Sequence, residues 1–190
     1  MPIFDGAGCI WESVLKIKFN EFKEFIADHS LYILVVFFFV PMIISKCAIL
    51  MGATDIGFVS GWETSYREAF GGAEGYSFTV VMYWVMSPLL FLLIHSRWTY
   101  QSMPLKKAIM MVPVAWLISI LLGVIVFKGV SVAPRASVSY LSTRFDVVDF
   151  LFLGRWHFGF CMIYAFIVLM CVALWYYILY LSLCLILNRL

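Results

Sequence analysis

The chain has 190 residues, of which 64% are hydrophobic and 13% charged, and a formal net charge of +2, with a mean hydropathy of +1.00. The charged share is about half that of soluble domains. A water-soluble fold of this length has nowhere to hide so much apolar surface, whereas a bilayer is itself an apolar phase. The small net charge and the lack of a dense Lys/Arg run exclude a phosphate-tracking surface, so no nucleic-acid partner is expected.

Residues 1–30 are polar and mixed in charge, with no apolar run ahead of a small-residue cleavage site, so no cleavable signal is expected. Within them Trp11, Val14, Leu15, Phe19, Phe22, Phe25 and Ile26 recur at helical spacing, while Glu12, Lys16, Glu21, Lys23, Glu24 and Asp28 fall mainly on the other side. The pattern predicts an amphipathic helix on the cytoplasmic membrane surface, or a cytoplasmic extension of the first span.

A membrane domain follows over residues 31–190, with apolar stretches at about 31–51, 78–94, 109–127 and 158–187. Hydrocarbon offers backbone groups no partners, so the expected fold class is an all-α membrane protein of four transmembrane helices. About 20 helical residues cross the bilayer core. The second stretch is therefore minimal, and the fourth must tilt or project. Lys46 is the one charge within a stretch, close enough to its end for the stem to snorkel to water. Pro41, Pro88 and Pro113 each remove a backbone bond from spans one, two and three and can kink them.

The connections set the expected orientation. His95–Lys107 carries Arg97, Lys106 and Lys107 with no acid, whereas Gly52–Ser77 carries Arg67 against Asp55, Glu63, Glu68 and Glu74. Lys16, Lys18 and Lys23 precede the first span, and Arg189 follows the last. The bias predicts both termini in the cytoplasm, against which the long third loop sets Lys128, Arg135, Arg144 and Arg155. In that loop Val130–Tyr140 alternates around Pro134, which fits a short β-hairpin or a plain extended loop. Asp146 and Asp149 share a face if the chain turns helically there, within reach of Arg144 or Arg155.

Chemistry-bearing patterns are sparse. Gly71, Gly72 and Gly75 lie in a loop between spans, with no strand before them to make a phosphate cradle. Cys9, Cys47, Cys161, Cys171 and Cys184 show neither CxxC nor Cys/His ligand spacing, so neither a zinc site nor a disulfide is expected. A transmembrane haem usually takes two facing histidines. His29 and His95 lie at one end of the spans, where both are expected as interfacial polar groups, and His157 lies at the other end. The expectation is a binding or assembly role, with no cofactor and no enzymatic activity.

One family shares the layout. Span one reads Tyr32-Ile-Leu-Val-Val-Phe-Phe-Phe-Val-Pro41-Met, and span two contains Ser87-Pro88 and ends in a short basic loop. Span three opens on Val112-Pro113 and closes in Val126-Phe127-Lys128, and a Leu141-Ser142 step leads toward the last span. Across most of residues 31–187 this arrangement resembles the immunity proteins against pore-forming colicins of the A/B/N type. After span three the chain reads Val130-Ser-Val-Ala-Pro134, where the family carries a Thr-rich segment. The resemblance implies a bacterial inner-membrane protein that binds the helical domain of a pore-forming toxin within the lipid bilayer and blocks channel opening. It implies partner contacts in the outer loops, through Asp55, Glu63, Arg67, Arg135, Arg144, Asp146, Asp149 and Arg155. Two further readings of the same spans are an accessory subunit of a larger membrane complex, whose partners are other membrane subunits, and a haem- or quinone-binding membrane protein.

Overall fold

The computed structural model describes residue 18 and residues 20–97, 105–132 and 151–187. The described residues form six α-helices: α1 (20–28), α2 (Ser30–Leu50), α3 (Gly61–Phe70), α4 (Tyr76–Arg97), α5 (Leu105–Lys128) and α6 (His157–Leu187), with a 3-10 turn at Leu153–Arg155. No strand occurs among them, and the expected hairpin at 130–140 lies outside the described residues except for 130–132, which are not in a strand. Four helices, α2, α4, α5 and α6, are long and apolar enough to cross a membrane.

These lengths follow from chemistry at the helix ends. α2 has 21 residues and α4 has 22, or about 32 Å each at 1.5 Å per residue. The second apolar stretch is therefore not minimal: Tyr76 and Ser77 at one end and His95, Ser96 and Arg97 at the other are helical although their side chains are polar. α6 has 31 residues, about 46 Å, and overshoots a bilayer core of about 30 Å. The register locates the excess at one end, since His95 near the end of α4 bonds Tyr176 across a 2.9 Å gap, and eleven residues of α6 follow. α5 runs beside that extension, with Tyr177 Oη donating to Met111 Sδ.

The helices continue through Pro41, Pro88 and Pro113. Pro41 cannot donate to the Phe37 carbonyl. One residue on, Tyr83 Oη reaches in from α4 and donates to the Phe38 carbonyl at 2.9 Å.

α6 is the hub. It packs on α4 and α5 and, more lightly, on α2, and α2 also lies along α4. Of the most apolar 18-residue stretch in each helix, 44% is buried for α6 but 17% for α5. Among the described residues the backbone of α5 approaches neither α2 nor α4. Trp84 of α4 fills the gap, stacked on Phe127 of α5 at 5.3 Å and tilted against Trp175 of α6 at 5.8 Å. Residues 11–17 and 19 of the expected amphipathic segment lie outside the described residues. The remainder, α1, is joined to α2 by helical bonds across a turn at His29, from His29 N to Phe25 O and from Ile33 N to His29 O. Arg97 clasps this joint, donating to the Ala27 carbonyl and to Ser30 Oγ.

Two glycines separate a filled contact from an open one. A Cβ at Gly61 would sit 1.8 Å from the Lys128 carbonyl oxygen, whereas one at Gly123 would meet nothing within 4 Å. Gly61→Ala should lower the thermal stability of the detergent-solubilised protein by about 1–3 kcal/mol, the usual cost of overpacking. Gly123→Ala should leave it unchanged or raise it by up to about 1 kcal/mol. Thermal unfolding followed by circular dichroism reads both.

Candidate functional site

The polar chemistry of the chain gathers where α2 ends and α4 and α6 begin, and α3 caps that end. The cap starts at Ser60, whose Oγ accepts from Glu63 N and closes the first turn of α3. Glu63 sits three residues on, where a capping-box carboxylate would turn back to its own helix. Here it reaches across to α4. Glu63 Oε2 accepts from Ser77 N at 2.8 Å, and Ser60 N donates to Ser77 Oγ at 2.7 Å. Glu63 is buried, and Arg67, half-exposed one turn later, pairs with its other oxygen.

Four aromatic donors then meet backbone carbonyls around the cap. The last four carbonyls of a helix have no intrahelical partner. Trp62 Nε1 donates to one of them, Val126 O of α5, at 3.0 Å. Tyr164 Oη reaches the same oxygen at 3.4 Å and itself accepts from Trp84 Nε1 at 2.9 Å. Tyr66 Oη donates to Leu151 O and Tyr76 Oη to Gly154 O, both at 2.7 Å. Gly154 is needed there, because a Cβ would lie 2.1 Å from Tyr66 Oη. The rings pack as they bond: Tyr76 stacks on Phe160 at 4.0 Å, and Trp62 and Tyr66 each meet Phe160 edge-on. Burial pushes the Tyr66 phenol well above its usual range, so it stays a donor.

Beneath the cap lies a polar knot that the sequence does not announce. His157, at the end of the spans opposite His29 and His95, turns inward. Its Nε2 lies 3.0 Å from Ser45 Oγ of α2 and 3.3 Å from Thr79 Oγ1 of α4. Both hydroxyls already donate to backbone carbonyls, Ser45 to Met42 O and Thr79 to Gly75 O. With both hydroxyls spent as donors, a ring proton on Nε2 would serve them, and Cys161 Sγ lies beside the ring, 3.6 Å from Nε2 and 3.8 Å from Nδ1. One residue from each of three spans thus shares a depth. Cys47, Cys161 and Cys171 are free thiols.

The residues expected to contact a partner separate into groups. Asp55 is exposed at the same end and accepts from Gly57 N in a local turn. Arg67 is half-exposed and Glu63 is turned inward, its carboxylate held within the chain. Arg155 is exposed, its guanidinium 3.8 Å over the Trp156 ring and 4.2 Å over Phe152. Arg135, Arg144, Asp146 and Asp149 lie outside the described residues. Lys46, expected to snorkel, is exposed at this end of α2 and lines a cavity with Arg155 and His157. At the opposite end, His29 Nδ1 lies 2.9 Å from Phe25 O, while His95 bonds Tyr176 of α6. Among the described residues no group of three or more His, Cys, Asp or Glu is placed to hold a metal.

The arrangement as a whole can bind and orient. Two apolar clefts flank α5. One, of about 400 Å³, is lined by Trp116, Ser119, Ile120, Gly123, Trp175 and Leu179. The other, of about 410 Å³, is lined by Phe58, Val81, Trp84, Val85 and Phe127. No protein-family model, no curated protein and no solved structure matches the chain.

If the cap is fastened by its donors, Tyr66→Phe should free the 151–156 segment. It leaves the Leu151 carbonyl unpaired, at a cost of about 1–3 kcal/mol, and trypsin should then cut faster after Arg155. Arg67→Ala removes a pair whose cation is half in water, should cost under about 1 kcal/mol, and should leave that cleavage rate unchanged.

Proposed function

We propose that the chain is a membrane-embedded immunity protein of a bacterial inner membrane. It binds the helical domain of a pore-forming bacteriocin and keeps the channel from opening. The observation that carries this reading is the open flank of α5, a span held on one side by α6 and bordered by an apolar cleft on each flank. Between helices in hydrocarbon the drive is close packing, and small residues permit it. On α5 the small residue that borders open space is Gly123, in the cleft it shares with Trp116, Trp175 and Leu179. Such a flank suits a helix arriving sideways through the bilayer, which is how a toxin that has inserted its helices would meet it.

On this reading both termini are cytoplasmic and the capped end faces outward. The rigid cap holds Asp55, Arg67 and Arg155 at the surface as specificity contacts, joined by Arg135, Arg144, Asp146 and Asp149 of the third loop. Glu63 serves from beneath, by fixing where Arg67 stands. The second reading, a subunit of a larger membrane complex, draws on the same flank, with a permanent neighbour in place of a toxin.

Protection of sensitive cells separates the two. Cells carrying the chain on a plasmid should survive one member of a panel of pore-forming bacteriocins and stay sensitive to nuclease bacteriocins. Gly123→Leu fills the cleft beside α5. Overpacking of about 1–3 kcal/mol should cut the protective dose on the order of ten- to a hundredfold, at an unchanged amount of chain in the membrane by immunoblot. Sensitivity to every member of the panel, with a fixed set of other subunits co-purifying, would overturn the immunity reading.

A further inference from the structure

The geometry points to a binding site for one anionic phospholipid in the crevice between α2 and the start of α6. Two cavities meet there. The one nearer the helix ends, of about 600 Å³, is lined by Met42, Ile43, Lys46, Cys47, Arg155 and His157, together with Trp156 and Phe158. Its lining holds two permanent cations and no carboxylate. Neither cation is spent elsewhere among the described residues, where the Glu63–Arg67 pair is the ion pair present. The Arg155 guanidinium lies over Trp156 and Phe152, and ring contacts of this kind leave its N–H donors to meet an oxygen anion. Trp156 and Phe158 are shared with the second cavity, of about 670 Å³, whose lining adds Phe38, Leu153, Met162, Ile163 and Phe166 and is apolar almost throughout. It runs along α6 toward the middle of the span.

The charge order along the crevice selects the occupant. A cationic pocket at the depth where α6 begins, continued by an apolar groove along the helix, matches a phosphodiester with an acyl chain below it. A free inorganic anion would leave the groove unused, and a zwitterionic phospholipid would add a choline cation beside the two cations already in the lining. The site lies on the α2 side of α6, away from the flank of α5, so it stands independently of the toxin-binding reading.

Native mass spectrometry of the detergent-purified chain, with thermal unfolding in parallel, tests this with three probes: phosphatidylglycerol, phosphatidylcholine of the same acyl chains, and inorganic phosphate. The wild type should retain one phosphatidylglycerol with a preference on the order of tenfold over phosphatidylcholine, as expected for two cations near an anionic headgroup. Only phosphatidylglycerol should raise the unfolding temperature. Lys46→Ala with Arg155→Ala should abolish the preference at unchanged helical content. Met162→Trp, which fills the groove and leaves both cations in place, should abolish retention. Equal retention of the two lipids by the wild type, a phosphate-induced shift as large as that from phosphatidylglycerol, or undiminished preference in the double variant would each overturn the proposal.

Discussion

The hydrogen bond from the Trp62 indole to the Val126 carbonyl is the contact on which the capped end depends. A carbonyl in the last turn of α5 has no helical partner, and in an apolar surrounding an unmet acceptor costs several kcal/mol. The indole meets it and brings a large buried ring with it. Because Trp62 lies two residues after Ser60, fixing the indole fixes the start of α3 and hence the Glu63 carboxylate against the Ser77 amide of α4. Gly61 and Gly129 allow this closeness: Gly129 sits at a φ of +77°, and a Cβ on it would lie 2.7 Å from Trp62 N. Tyr66 and Tyr76 then carry the same device across to the segment before α6. Aromatic donors thus finish the helix ends that lipid cannot solvate.

The four long helices are legible because a run of apolar residues is a local signal. Their ends are less so. Tyr76, Ser77 and Arg97 read as loop by hydropathy, yet their backbones are helical and their side chains bond to neighbouring elements. α3 is absent from a hydropathy reading because half of its residues are polar. A finer signal was available in Ser60 followed by Glu63, with Trp62, Tyr66 and Phe70 four apart on one face. The inward turn of His157 has no local signal at all. It depends on Ser45 and Thr79, each set by a different span, and such long-range pairing is not written in periodicity. Glu63 shows the converse: as a loop acid it reads like a surface contact, and its burial follows from a serine fourteen residues away.

The bundle is asymmetric about α6. On one side α2, α4 and α6 share polar contacts at both ends, through His157 at the capped end and through Tyr176 and Arg97 at the other. On the other side α5 is joined along its length to α6, with Trp84 as a spacer from α4. A helix pair with one open side has contact area to offer without first breaking contacts of its own. The closely joined part and the open-sided part are therefore different helices.

The cap also fixes an order of assembly. Trp62 bonds a residue 64 positions later in the chain, and Tyr66 one 85 positions later. At about 5–20 residues per second, a nascent chain holds α3 without its acceptors for several seconds after α3 itself has been made. Throughout that interval Trp62, Tyr66 and Phe70 form an uncovered apolar face beside a newly inserted first span. The latch is cast early and closes late: it waits for α5 and the segment before α6, and the newborn protein becomes one body only when α6 joins them.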